Sequence, residues 1–237
     1  MSHDQATVAE EEYLQVIFWL EEAGLPMTGA NVARAMQVSA PTVHEMIGRL
    51  ERDGYITRGD DKSISFTDTG REHAAGIVRR HRLIERFLTD VFDIPWDQVH
   101  EEAERLEHWM SPTVEERMLK AIGDAQTCPH GHPIYTGRRE EGVPLADVEL
   151  GARVRVLRFE NEAEDLLHYL MDAGLKPGLE GTLSESDDEQ VALESDGKRF
   201  AVTRSVAETV SVVADPSPPP RVALPEQLVL AKEHWGR

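Results

Sequence analysis

The chain has 237 residues, with 25 basic against 44 acidic side chains and a net charge of −19. That length suits one large or two small domains, and a 40% hydrophobic fraction is enough for ordinary cores. Taken at face value the charge argues against a phosphate-binding surface. Lysine is rare, however, and the acids are spread along the whole chain, so the composition reads as halophilic, adapted to a high-salt interior, rather than as an acidic functional patch. Cys128 is the single cysteine, so no intrachain disulfide can form and a reducing compartment is expected. The start, Met1-Ser2-His3-Asp4, is polar and acidic and reads as no signal peptide, and no apolar run approaches membrane-spanning length. The expectation is a soluble, cytoplasmic protein that does not contact a membrane.

In chain order, residues 9–23 form an amphipathic helix pattern with Tyr13, Ile17 and Leu20 on one face, stopped by Gly24-Leu25-Pro26. Thr28 can cap a short helix over 29–36. Ser39 is a good N-cap and Pro41 sits at the favoured start of a third helix, about 40–53, whose inward stripe is Val43, Ile47 and Leu50. Gly54 breaks it. Tyr55–Arg58 and Ser63–Thr67 alternate around the polar turn Gly59-Asp60-Asp61-Lys62 and read as a hairpin. Helix, short helix, turn, helix, hairpin is the order of a winged helix-turn-helix, in which the second helix of the pair enters the major groove. Its exposed start offers Ser39, Pro41, Thr42, His44 and Glu45, with Arg49 further on; Thr42 could meet a thymine methyl and Glu45 could accept from cytosine N4. Arg34, Arg49, Arg52, Arg58 and Lys62 could hold phosphates of double-stranded DNA. Such three-helix units also serve as protein-interaction modules.

Residues 69–92 read as a long helix carrying Ile77, Val78, His81, Ile84, Glu85 and Leu88; Asp93-Ile94-Pro95 ends it. A helix over 96–110 and another over 113–124 follow. Apolar faces repeated on these helices predict a helical dimer interface and a homodimer. Beyond a polar stretch at 137–142 the period changes to short strands at 154–159, 181–183, 190–193, 198–202 and 209–213, with a helix at 166–172 and a hairpin turn at Asp196-Gly197. Several short strands with closely spaced turns predict a small β-barrel. Asp215–Pro220 reads as a stiff tail and Pro225–Trp235 as a short amphipathic helix. The fold class is mainly α with a small β domain, divided into 1–70, 71–136, 137–214 and a Pro-rich tail at 215–237.

The helix about 99–110 carries two stripes. Val99, Ala103, Leu106 and Met110 recur at core spacing, and His100, Glu104, Glu107 and His108 lie on a neighbouring strip. His81 and Glu85 stand one turn apart on the previous helix, and Glu12 lies on the first. Imidazoles and carboxylates beside a core stripe are costly to desolvate without a partner, and a divalent metal is one such partner. The competing reading is a solvated acidic face. Carboxylate and imidazole without thiolate suit manganese or ferrous iron; copper and structural zinc would more often recruit sulfur. No nucleophile or Gly-rich loop supports an enzyme.

These stretches together resemble the diphtheria-toxin-repressor/manganese-transport-regulator family of metal-dependent transcriptional repressors. The residues that carry the resemblance are Glu12-Tyr13-Leu14, Ser39–Val43 with Leu50–Gly54, Thr67–Arg71, Arg80–Leu88, Val99–His108 and Cys128-Pro129-His130-Gly131-His132-Pro133-Ile134. The resemblance covers about residues 9–213 and implies an N-terminal winged helix-turn-helix, a helical dimerisation and metal-binding domain, and a C-terminal SH3-like, FeoA-like β-barrel. It further implies that Glu12, Glu104, Glu107 and His108 form the primary metal site. His81, Glu85 and His100 match an ancillary site of iron-dependent members. In some manganese-responsive members the position of Glu85 pairs instead with those of Cys128 and His130 and an acid of the barrel, for which Asp165 is the choice here, with Glu162 and Glu164 competing. Iron-type members carry methionine and cysteine where this chain has Glu12 and Glu104, which shifts the expected cofactor to Mn2+, with Fe2+ the alternative. Gln15 stands where some short manganese regulators have glutamate, and Glu45 where glutamine is common. The implied function is repression of metal-uptake genes; a metal-independent winged-helix regulator is the other reading.

Overall fold

The computed structural model describes residues 6–135 and 139–215. The predicted tail beyond 215 lies outside the described residues. Three helices, α1 (Val8–Glu22), α2 (Gly29–Met36) and α3 (Ala40–Arg52), precede the antiparallel pair β1 (Ile56–Arg58) and β2 (Ile64–Phe66). Each helix starts where a hydroxyl can satisfy a free backbone N–H: Thr7, Thr28 and Ser39 are the N-caps, and Thr7 forms a full capping box with Glu10. Tyr13, Leu14, Ile17, Val32, Val43, Ile47 and Leu50 close into one core with Ile56 and Ile64. The Ile64 N–H donates to the Met27 carbonyl and Thr28 bridges Ser63, so the wing is fastened to the entry of α2. This is the winged helix-turn-helix order expected.

Helix α4 (Asp68–Phe92) leaves the wing under a Thr67 cap. A Cβ at Gly70 would stand 1.8 Å from the Tyr55 carbonyl oxygen, so only glycine lets the helix start that close to the wing. Helices α5 (Val99–Glu107) and α6 (Pro112–Ala121) fold back on α4, with Ile84, Leu88, Val99 and Ala103 in one small core and Leu83, Ile122 and Ile134 in another. Two expectations are corrected here. The fifth helix begins at Val99 rather than Trp96, which leaves Trp96 free to pack against the core of the sheet domain. Leu106, assigned to the core stripe, is 44% exposed, because α5 ends one residue later and its last turn has no neighbour on that side. Leu106, Trp109, Val114, Val91 and Phe92, on or beside these helices, are exposed apolar side chains.

The C-terminal part is a six-stranded antiparallel sheet. Its strands are β3 (Val143–Pro144), β4 (Arg153–Phe159), β5 (Glu180–Ser186), β6 (Gln190–Ser195), β7 (Lys198–Thr203) and β8 (Val210–Asp215), in the order β3-β8-β4-β5-β6-β7. The predicted barrel does not close: β3 and β7 are the two edges, and among the described residues they do not pair. Helix α7 (Glu164–Asp172) buries Leu167 and Leu170 against this sheet, and the short α8 (Arg204–Ala207) adds Ala207. The sequence pattern misses β3 and α8, which are too short to show a period. Among the described residues no helix is long and apolar enough to cross a membrane.

Candidate metal centre

Two neighbouring groups of histidines and carboxylates lie where the helices meet each other and the sheet. The first centres on Glu85, which is fully buried on α4. Helical spacing puts His81 one turn before it, with His81 Nε2 3.0 Å from Glu85 Oε1. From α5, His100 Nδ1 lies 3.2 Å from the same oxygen and 3.1 Å from His81 Nε2. The loop 126–134 brings His130 Nδ1 to 3.2 Å from Glu85 Oε1, with the buried Cys128 thiol beside it. Glu162, between β4 and α7, closes the group: its Oε2 is 3.3 Å from His100 Nδ1 and 3.4 Å from His130 Nδ1.

The loop is held for this purpose. Thr127 bridges Pro133, the Cys128 N–H donates to the His132 carbonyl, and the Phe159 N–H donates to the His130 carbonyl. Gly131 has φ 94°, and a Cβ there would sit 2.0 Å from the Leu157 carbonyl oxygen, so the loop can lie on β4 only with glycine at this position. Arg86 Nε donates to the Thr127 carbonyl.

Each imidazole has its outer nitrogen occupied. His81 Nδ1 bonds Glu107 Oε2 at 2.7 Å, His130 Nε2 donates to the Trp96 carbonyl at 2.7 Å, and His100 Nε2 is 3.4 Å from Glu104 Oε1. The inner nitrogens are thereby turned toward Glu85 and Glu162. An outer hydrogen bond to carboxylate or carbonyl is how proteins orient metal-ligating histidines. Burial disfavours charge here, yet the opposite charges win. His81 is pushed up to about 9 by Glu85 and Glu107, and His100 up to about 12 by Glu104, Glu162 and Glu85. Glu85 and Glu162 are held well below the usual carboxylate range by the histidines around them. Burial and the Glu85 charge push the Cys128 thiol up to about 11.

These donors fit a divalent cation. Ligand atoms of His81, Glu85, His100 and Glu162 all lie within 4.8 Å of one another, as do those of Glu85, Cys128 and His130. Glu85 Oε2 and His130 Nδ1 are buried with no hydrogen-bond partner. His130 Nδ1 is close to Glu85 Oε1 without hydrogen-bond geometry, as expected of two donors aimed at a common point rather than at each other.

The second group joins α1 to the end of α5. His108, the C-cap of α5, has Nδ1 2.7 Å from Glu11 Oε2 and Nε2 3.3 Å from Glu107 Oε1. Gln15 Nε2 donates to Glu107 Oε2 at 3.1 Å, so Glu107 touches both groups. Glu11 also meets His73 and Arg80, and these partners, with His108, hold its carboxyl below its ordinary value although burial opposes them.

Of the residues singled out in the sequence, Glu107 and His108 come together, whereas Glu104 is half exposed and turned to His100, and Glu12 is exposed. Its neighbour Glu11 faces His108 instead; no sequence signal separates the two, because one residue of helical rotation decides it. Asp165 is not at the centre. It lies in the first turn of α7, where its carboxylate accepts from the Leu166 N–H, and acids there serve the helix N-terminus. Glu162 stands in its place, nearer the end of β4, where the loop 126–134 docks. His132, which the sequence reading left without a role, donates from Nε2 to the Phe159 carbonyl at 2.7 Å and lies 3.0 Å from Glu162 Oε1.

Ser39, Pro41, Thr42, His44, Glu45, Arg34, Arg49, Arg52, Arg58 and Lys62 are all exposed. Several are already engaged. The Ser39 and Thr42 hydroxyls are 2.7 Å apart, Arg34 donates to Asn31, Arg58 pairs with Glu51, and Arg49 pairs with Glu10 and Asp53. Arg49 therefore ties α3 to α1 as well as facing outward.

A family profile described as "Iron dependent repressor, N-terminal DNA binding domain" matches residues 6–64. One described as "Iron dependent repressor, metal binding and dimerisation domain" matches 67–136, and a FeoA domain profile matches 143–214. The chain is 34% identical over 217 residues to a diphtheria toxin repressor of Corynebacterium diphtheriae, covering 85% of this chain and 95% of that protein. It is 39% identical over 190 residues to an iron-dependent repressor, IdeR, of Mycobacterium tuberculosis, covering 73% and 82%. A solved manganese-dependent transcriptional repressor in complex with manganese superposes with a TM-score of 0.78 at 28% identity, covering 87% of this chain and all of that one.

Proposed function

Because the chain belongs to the iron-dependent repressor family, whose members are metal-dependent DNA-binding transcriptional repressors and not enzymes, we propose that it is a homodimeric repressor of metal-uptake genes activated by manganese. The observation that carries this reading is the double tie between α1 and the end of α5: Glu11 on His108 and Gln15 on Glu107. Helix α1 also holds the recognition helix, through Arg49 and Glu10. A change at Glu107 and His108 is thus transmitted to α3 through one rigid element.

The regulatory donors are Glu104 and Glu107 of α5, His108 at its C-cap and Glu12 of α1, and Glu11 orients the His108 ring from Nδ1. A divalent cation bound there would supply a fixed positive charge that draws carboxylates of two helices together. It acts only if it binds the DNA-competent arrangement better than the other. Carboxylate and imidazole without sulfur favour a hard ion, hence manganese. The exposed apolar side chains of α4–α6 and the turn after α5, with Trp109 79% exposed, fit burial against a second copy of the chain, which would set two recognition helices for successive major-groove turns. Iron is the second reading, favoured by the 39% identity to a repressor named for iron.

The test uses a duplex selected from random double-stranded DNA by the manganese-loaded full chain. Its binding is followed by fluorescence anisotropy at fixed free Mn2+ or Fe2+. Manganese should tighten binding at least about tenfold, more than iron at equal free concentration, and His108→Ala should remove the gain. Equal binding with and without metal would overturn the reading, and tighter binding with iron would replace manganese by iron.

A further inference from the structure

The donors around Glu85 gather as two sets rather than one, and both sets need the same carboxylate. His81, Glu85, His100 and Glu162 form one, and Glu85, Cys128 and His130 the other. Glu85 Oε1 is 3.2 Å from both His100 Nδ1 and His130 Nδ1. Glu162 Oε2 is 3.3 and 3.4 Å from the same two atoms. Two carboxylates therefore stand between two imidazoles, with His81 on the far side of one and Cys128 beside the other. The second oxygen of Glu85 is buried and bonded to nothing.

We propose that Glu85 and Glu162 bridge a pair of divalent cations, one held in addition by His81 and His100, the other by Cys128 and His130. The inference rests on the reading that this chain binds divalent metal. Donor arithmetic supports it: each ion receives two terminal ligands and two bridging carboxylates, the four-fold minimum for such ions. Charge does not oppose it: Glu85, Glu162 and a Cys128 thiolate bring three negative charges into a buried space, which one divalent ion leaves at −1 and two leave at +1. Binding of the second ion deprotonates the thiol, and the proton leaves to solvent.

The halves differ in softness. The His81/His100 half offers only nitrogen and oxygen and suits manganese or ferrous iron; the Cys128/His130 half contains sulfur and suits zinc, cobalt or ferrous iron. The centre is therefore built to hold an unlike pair, and the thiolate half responds to a metal other than the one read at His108.

The experiment uses the full chain, stripped with chelator, loaded with Mn2+ and titrated anaerobically with Co2+. Absorbance reads the thiolate-to-cobalt charge-transfer band, and elemental mass spectrometry reads both metals per chain. The expected result is that the band grows while the manganese in the His81/His100 half is retained, and that the Mn2+ electron-spin-resonance signal of that half weakens by coupling to cobalt. Cys128→Ser should abolish the band and the cobalt uptake while keeping manganese. Loss of one manganese for each cobalt bound, or manganese uptake with no band, would overturn the bridged pair but leave the regulated repressor standing. Uptake of neither metal would overturn both. A manganese count that falls by one in His108→Ala identifies the regulatory ion separately.

Discussion

Around Glu85, three imidazoles already turn a nitrogen toward one buried carboxylate pair. Around His108, Glu107 and Glu11 meet the ring, while Glu12 and Glu104 face solvent or a neighbouring ring. The first group is assembled by packing from four separate pieces: α4, α5, the loop 126–134 and the turn after β4. Gly131 and Trp96 hold those pieces in place against the sheet domain. The second joins α1 to the end of α5, with His73, Arg80 and His81 of α4 backing its carboxylates, across the junction between the DNA-binding helices and the rest. A preassembled site stiffens what surrounds it and gains little from further closure. A site with donors still apart can report on the distance between two elements, which is what a regulator needs.

That contrast can be broken most sharply at Glu85. Glu85→Ala leaves a buried group of imidazoles without its central charge and should cost about 3–5 kcal/mol of metal-free stability. Glu104→Ala, at an exposed position, should stay within about 0.5 kcal/mol. Urea unfolding of the chelator-treated chain measures both, and equal costs would erase the distinction between the groups. Next in size is the contribution of the sheet domain. Glu162→Gln should weaken cobalt binding at the Glu85 centre about 10–100-fold, whereas Asp165→Asn should leave it within about twofold. Competition with a chromogenic chelator reads this, and the reverse ranking would restore Asp165. Smaller still is the effect of orientation at His108. Glu11→Gln should weaken manganese-activated DNA binding by about tenfold, with a smaller change in the cobalt band. If Glu12→Gln does nothing and Glu11→Gln abolishes activation, Glu11 is the ligand and Glu12 a surface acid.

Local chemistry made most of the fold legible before any contact was known. Thr28 and Ser39 cap the helices that follow them, since a hydroxyl satisfies an N–H from its own chain. The 3.6-residue period of Tyr13, Leu14 and Ile17 and the four-residue step from His81 to Glu85 are properties of a helix alone. The same holds for the pairing of β6 and β7 around Asp196-Gly197. On that footing the winged helix-turn-helix, the long helix and the small β domain were all readable.

Which side chains meet across elements was not. Helical phase leaves Glu11 and Glu12 about 100° apart, and only the docking of α1 on α5 selects Glu11 for His108. Asp165 and Glu162 are alike as acids, but the loop 126–134 lies on the end of β4 and reaches Glu162, while Asp165 is spent on its own helix. Leu106 has the spacing of a core residue and no neighbour to cover it within one chain. The sequence by itself determined the elements, their order and the stock of donors, because these depend on neighbours along the chain. Tertiary structure alone decided that Glu85 is shared by two donor sets and Glu107 by two groups, because that depends on four segments distant in sequence packing around one buried carboxylate.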